Sequence, residues 1–238
     1  MHGTEERYDK RYYNKLSHKG RYIRKDSRIY FANWMFSKIK KLQPDAFILD
    51  IGCGDGFYIK IFEREMDCIG VEISISGLKM AKRGDLRSPL IIGDAHDLPF
   101  KDRTFNFILA LDVIEHLKKP EVFLKEIKRV LQKNGYLLIS TPNLNSFGSR
   151  RKGGNWFGYR DTTHISLKTP DQWHELLTGD FQTIKEGTDS LWDIPYFKTV
   201  PGFLQKLFFV PFNVIIKRYF GFLPWRRGEN YMAILQKR

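Results

Sequence analysis

Cysteine is nearly absent from this chain: its 238 residues hold only Cys53 and Cys68, with no C-x-x-C pair. That excludes a zinc-ribbon or dithiol redox motif and suits two small core residues in a reducing compartment. No apolar stretch approaches the roughly 20 residues needed to span a bilayer. The first 25 residues are polar and charged, without the apolar centre of a secretion signal, so a cytoplasmic protein is the expectation. Acidic residues are in deficit, 27 against 40 Lys and Arg, for a net charge of +13. The excess is uneven: residues 1–45 carry +7, residues 190–238 carry +6, and residues 46–189 balance to zero. Attraction to an anionic substrate, a membrane surface or nucleic acid therefore belongs to the two ends, if the charge does more than confer solubility. Two phosphate-binding signatures are also missing. G-x-G-x-x-G fails because position 57 is Phe57, and no G-x-x-x-x-G-K-[ST] string occurs.

What is present is ILDIGCGDG, residues 48–56. Phe47 to Ile51 reads as a buried strand with Asp50 near its end. Gly52, Gly54 and Gly56 follow at alternate positions, and a helical pattern begins at Phe57. Glycines there permit positive φ and let a ligand touch the main chain, at the end of a strand where open α/β sheets bind nucleotides. Asp50 and Asp55 would repel a pyrophosphate and suit cationic groups instead. S-adenosylmethionine carries a sulfonium, an ammonium and no phosphate.

Further segments follow in order. CIGVEIS, 68–74, reads as a second strand ending in Glu72, which lies 22 residues after Asp50. IIGDAHDLPF, 91–100, reads as a third strand followed by Asp94 and Ala95. FNFILALDVIEHL, 105–117, reads as a fourth strand and its exit, and NGYLLISTPN, 134–143, as a turn and a fifth strand. Residues 180–187 form a sixth strand and NYMAILQKR a seventh. Helices are expected at 57–66, 75–83, 120–132 and 170–178, with Pro120 and Pro170 in first turns where a missing N–H costs little. Together these motifs, over roughly residues 45–190, resemble the class I S-adenosylmethionine-dependent methyltransferases, most of all the quinone-biosynthesis and small-molecule members. The resemblance implies a doubly wound, mostly parallel seven-stranded Rossmann-like α/β sheet, with an antiparallel last strand.

The resemblance also assigns the cofactor residues: Asp50, Gly52, Cys53, Gly54 and Gly56 in the turn, then Glu72, Ile73, Asp94, Ala95 and Asp112. A carboxylate at Glu72 can accept from a ribose diol. Asp94 would accept from the adenine amino group and Ala95 would offer its N–H to the ring. Asp50 would hold the loop amides or the methionine ammonium. Asp112 would meet the methionine end or the acceptor, or else cap the next helix. S-adenosylhomocysteine would be the product.

Methyl transfer from a sulfonium needs alignment more than activation, and a base only when the acceptor is protonated at neutral pH. His116, beyond the fourth strand, and His164, in DTTHISLKTP, are the candidate catalytic residues. Glu115, His116 and His164 could also share a divalent metal, but no fixed ligand spacing supports one, so none is expected. The fourth-strand exit lacks the D/N-P-P-Y/F string of base-amino methyltransferases, which argues against extruded bases as acceptors.

Outside the core, residues 1–45 read as a basic leader packed against or over the cleft, and residues 46–238 as the catalytic domain. A helix over 26–42, capped by Asp26 or Ser27, would show an apolar face of Ile29, Tyr30, Trp34, Ile39 and Leu42. Residues 143–169 read as a long loop, functional or disordered, and 188–228 as an aromatic cap insertion. Within the latter, 203–225 is interrupted by charge, and Pro211 is expected to break any helix. It suits a lid over an apolar acceptor pocket, a peripheral membrane surface, an oligomer contact or core. The expected reaction is methyl transfer to an oxygen, or secondarily a nitrogen or carbon, of a small or lipid-like acceptor. RNA methylation and cofactor binding without transfer are the alternatives.

Overall fold

In the computed structural model, which describes residues 23–238, seven strands form one sheet. In chain order they are β1 (Phe47–Ile51), β2 (Asp67–Glu72), β3 (Leu90–Ile92), β4 (Phe105–Leu111), β5 (Leu131–Pro142), β6 (Phe181–Thr188) and β7 (Asn230–Lys237). They lie in the order β3–β2–β1–β4–β5–β7–β6. β7 runs antiparallel to both neighbours, and the β1, β2, β3, β4 and β5 pairings are parallel. The helices are α1 (Ile23–Leu42), α2 (Phe57–Phe62), α3 (Ile75–Lys82), α4 (Pro120–Val130), α5 (Phe147–Lys152), α6 (Phe157–Arg160), α7 (Pro170–Thr178) and α8 (Gly202–Ile215). This is the doubly wound sheet that the motif order implies.

Side chains alternate along the central strands and build a core on each face. One face gathers Leu49, Ile108, Ala110, Leu137 and Ile139 under Phe123 and Ile127 of α4 and Trp173 of α7. The other gathers Ile48, Phe107, Leu109, Leu138 and Ile234 under α1, α2 and Phe222. α4 buries Phe123, Leu124, Ile127 and Val130, a helical stripe, and starts at Pro120. α7 starts at Pro170 behind a capping box of Thr169 and Gln172.

Several expectations shift. Residues 1–22 of the basic leader lie outside the described residues. α1 begins at Ile23, so Asp26 and Ser27 fall inside the helix rather than at its cap. Its buried stripe is Phe31, Ala32, Trp34, Met35 and Ile39, while Ile29 is exposed. The stripe is turned because Trp34 must stack on Phe31 and meet the Phe222 ring edge-on, 5.5 Å away. The 143–169 loop contains α5 and α6.

Pro211 does not break α8, which runs through it to Ile215 and passes into a π turn at Ile216–Phe220. The carbonyl that the missing N–H would have bonded belongs to Leu207, which is 75% exposed. α8 is also inverted relative to an ordinary surface helix. It buries Gln205 and Asn213 and exposes Phe203, Leu207, Phe208 and Ile215. The Gln205 amide accepts from Tyr196 N and Phe197 N and donates to the Phe197 and Val200 carbonyls. Asn213 donates to Leu191 O. Polar anchoring thus works beside aromatic contacts, Phe209 against Tyr196 and Phe212 against Trp225. Among the described residues no helix is long and apolar enough to cross a membrane.

Candidate functional site

The strand order turns at β1, which lies between β2 and β4, so a crevice opens beyond the carboxyl ends of β1 and β4. The glycine turn lines it. Gly52, Gly54 and Gly56 all have positive φ, between 54° and 71°. A Cβ on Gly52 would meet Val113 Cγ2 at 2.6 Å, so the turn closes directly on the exit of β4. Cys53 is buried within the turn, and its amide donates to Val71 O at 3.1 Å. Burial, then Asp50 and Glu72, push its thiol pKa far up, so it is no nucleophile.

Three carboxylates face this turn. Glu72 is buried at the end of β2; its two oxygens accept from Gly54 N (3.0 Å) and Ser74 N (2.9 Å). Asp50 is buried, and its Oδ2 has no hydrogen-bond partner among the described residues. Burial, with Glu72 and Asp55 nearby, pushes its pKa up to about 8. Asp55 lies at the rim, where Arg28 of α1 binds it at 3.1 Å and covers the Phe57 ring at 4.0 Å. A buried carboxylate with an orphan oxygen beside two others suits a ligand bearing cationic groups and no phosphate, as expected for S-adenosylmethionine. Ile73, half buried, follows Glu72.

The remaining expected cofactor residues sit along the same rim. Asp94, just past β3, accepts from the amide and ring Nδ1 of His96, at 2.9 and 2.8 Å, and Ala95 between them is half buried. Asp112 is exposed with φ 56°, accepts from Ser140 Oγ at 3.0 Å, and does not cap the following turn, whose cap residue is Val113.

The two histidines, 48 positions apart in sequence, come together, their rings 4.8 Å apart. A single 3₁₀ turn, Ile114–His116, carries Glu115 and His116. The 161–166 segment docks onto it, with Ile165 N and Ser166 N both donating to Glu115 O at 2.9 Å. Thr163 fixes the His116 tautomer. Its hydroxyl donates to Asp161 Oδ1, so it can only accept from His116 Nδ1, at 2.9 Å. Nδ1 therefore carries the proton and Nε2 the lone pair. Burial, then His164, lowers the His116 pKa to about 4, so the ring is neutral at ordinary pH. His164 likewise donates Nδ1–H to Gly158 O at 2.8 Å, and its Nε2 lies 3.9 Å from Asp161 Oδ2. Glu115 is fully buried, and its carboxylate makes no well-formed hydrogen bond among the described residues, the Thr141 hydroxyl and its own backbone N–H being weak partners. Burial, then Asp112, raises its pKa well above the usual range.

Sequence reasoning missed Glu229, the hub that ties the 146–156 stretch to Tyr196. It is fully buried and accepts from Ser146 Oγ, Gly148 N, Trp156 Nε1 and Tyr196 OH. It precedes β7 by one residue and resembles an ordinary loop acid, so only the crowding of aromatic and small residues at 146–158 hinted at it.

A family model described as a methyltransferase domain matches residues 22–180. An uncharacterized protein of Methanocaldococcus jannaschii is 34% identical over 134 residues, 55% of this chain and 62% of that protein. A demethylmenaquinone methyltransferase of Thermotoga maritima is 26% identical over 162 residues, covering 58% of this chain and 70% of its own. A solved structure of a possible histamine N-methyltransferase from the same bacterium superposes with a TM-score of 0.63 over 100% of both chains at 19% identity, a likeness of fold. The chain spans about half to three-fifths of the length of the first curated relatives it matches.

Proposed function

Since the chain belongs to the methyltransferase-domain family, whose methyl donor is S-adenosylmethionine, we propose that it methylates an oxygen of a lipid-like small molecule taken from a membrane surface. Nitrogen and carbon acceptors rank behind oxygen. Bound at the glycine turn, the cofactor would supply an already activated methyl group and leave as S-adenosylhomocysteine. Glu72 would hold its ribose, Asp94 and Ala95 its adenine, and Asp50 and Asp112 its methionine end. Cys53 and Ile73 would shape the pocket wall. His116 and His164, at the exit of β4, would meet the acceptor.

The observation that carries the lipid-like acceptor is the inverted α8. Phe203, Leu207 and Phe208 are each at least 70% exposed on a helix secured from beneath by buried amides. Lys206 is exposed on α8 itself, and Arg218 is exposed in the π turn that follows it. An exposed apolar face with exposed cations on the same segment suits the interface of an anionic bilayer. The 188–228 insertion would then serve both as cap and as landing surface. The Thermotoga relative's named acceptor, demethylmenaquinone, belongs to that chemical class.

The test is calorimetric titration of S-adenosylmethionine into the wild type and Glu72→Ala, followed by labelled-methyl transfer onto a lipid extract and onto tRNA. Micromolar binding lost in the variant, with label entering the lipid fraction, supports the reading. Label in tRNA alone replaces the acceptor class, and binding without transfer to either pool leaves a cofactor-binding protein.

A further inference from the structure

We propose that Glu115, His116 and His164 form a binding site for one divalent transition-metal ion, which would orient an acceptor carrying two adjacent oxygens. The second clause rests on the methyltransferase reading; cation binding does not. One ligand atom from each residue lies within 4.8 Å of the others. Ligands around an ion with bonds of about 2.1 Å sit roughly 3–4 Å apart, so a small contraction would close the site.

Three features separate this cluster from a chance meeting of polar groups. First, the Glu115 carboxylate is fully buried, with the Thr141 hydroxyl and its own backbone N–H as weak neutral partners and no cation against it among the described residues. A carboxylate in that position costs several kcal/mol in order of magnitude unless a cation or proton answers it. Second, both imidazoles donate Nδ1–H to protein oxygens, His116 to Thr163 and His164 to Gly158 O. This arrangement orients the Nε2 lone pairs of metal-binding histidines and raises their donor strength. Third, Asp161 accepts the hydrogen bond of the Thr163 hydroxyl, extending the outer support behind His116, and lies 3.9 Å from His164 Nε2.

Two nitrogens and one carboxylate favour Mn²⁺, Fe²⁺, Co²⁺ or Zn²⁺ over Mg²⁺ and Ca²⁺, which prefer oxygen donors. Three protein ligands leave positions open, the mark of a site that takes a substrate. A hydroxyl bound there would become more acidic and release its proton to water at neutral pH. A second, neighbouring oxygen would complete a chelate and fix which oxygen faces the glycine turn. Catechol-like and other vicinal dioxygen compounds meet that requirement.

Co²⁺ is the probe, titrated into the chelator-treated full chain and followed by its visible absorption, with cofactor calorimetry on the same samples. One equivalent should bind, with at least tenfold weaker binding in Glu115→Gln and in His164→Gln. Cofactor affinity should stay within about threefold. If Glu115→Gln fails to fold, His164→Gln alone carries the comparison. Wild-type protein that takes up no stoichiometric Co²⁺, or folded variants that bind it as tightly, would overturn the site. Cation binding without methyl transfer would instead sink the acceptor reading and leave the site standing.

Discussion

Asp50 is a carboxylic acid that stays protonated near neutrality, because burial and two neighbouring carboxylates push its pKa up to about 8. In the unfolded chain the same group loses its proton near pH 4. Between those values the native state binds more protons, so stability falls as pH rises through that window. Asp50→Asn should therefore flatten the decline of Tm between pH 5 and pH 8 by several degrees, since about 1 kcal/mol moves Tm by about 2–4 °C at this size. Differential scanning calorimetry at the two pH values checks it. A ligand bringing positive charge should expel the proton. Cofactor affinity should then rise by about fiftyfold from pH 6 to pH 8, with proton release read by calorimetry in two buffers of different ionisation enthalpy. An equal affinity at both pH values would place the cofactor's cations away from Asp50. The neutral His116, by contrast, should not impose a pH dependence of its own above about 5, its pKa being lowered to about 4.

At the scale of elements, the glycine turn and the strands before and after it were legible in sequence, because period-two burial and turn chemistry are local. Phe47–Ile51 stands where it was read, and the order of the later strands followed. The pairing of His116 with His164 was not legible, since it depends on how 161–166 docks on one 3₁₀ turn. Nor was α8, where a proline and a run of aromatics argue against a surface helix unless buried amides anchor it. Two expectations follow from these elements. Leu207→Glu with Phe208→Glu should abolish sedimentation with anionic vesicles while leaving Tm within about 1 °C, because exposed positions contribute about 0.5 kcal/mol or less. Glu229→Ala strips one acceptor from four donors and should cost about 3 kcal/mol, read from the denaturant midpoint. Proteolysis should then begin within 146–160, the stretch that Glu229 ties to the sheet. Gly148→Ala should act in the same direction, for its Cβ would meet Glu229 Oε2 at 2.5 Å.

Over the whole molecule, charge is divided between a neutral sheet and basic flanks. Binding to anionic vesicles should weaken severalfold between 50 and 300 mM salt, as screening lengths shrink below about 10 Å, whereas cofactor affinity in its buried turn should barely move. Flotation assays and calorimetry at the two salt concentrations check this. A steep salt dependence on tRNA with none on vesicles would favour the nucleic-acid alternative. The sheet order has a different kind of consequence. β6 touches the rest of the sheet only through β7, and β7 follows it by a long stretch of chain. During synthesis, five strands can zip together while β6 waits as an unpaired ribbon, its amides open to any passing partner. The arrival of β7 is the act of closure, and it joins Tyr136–Pro142 to Phe181–Thr188 in one step. A ribosome that stalls between these two segments would release a half-finished sheet with a ready edge, the form in which this molecule is most apt to aggregate or to be captured by a chaperone.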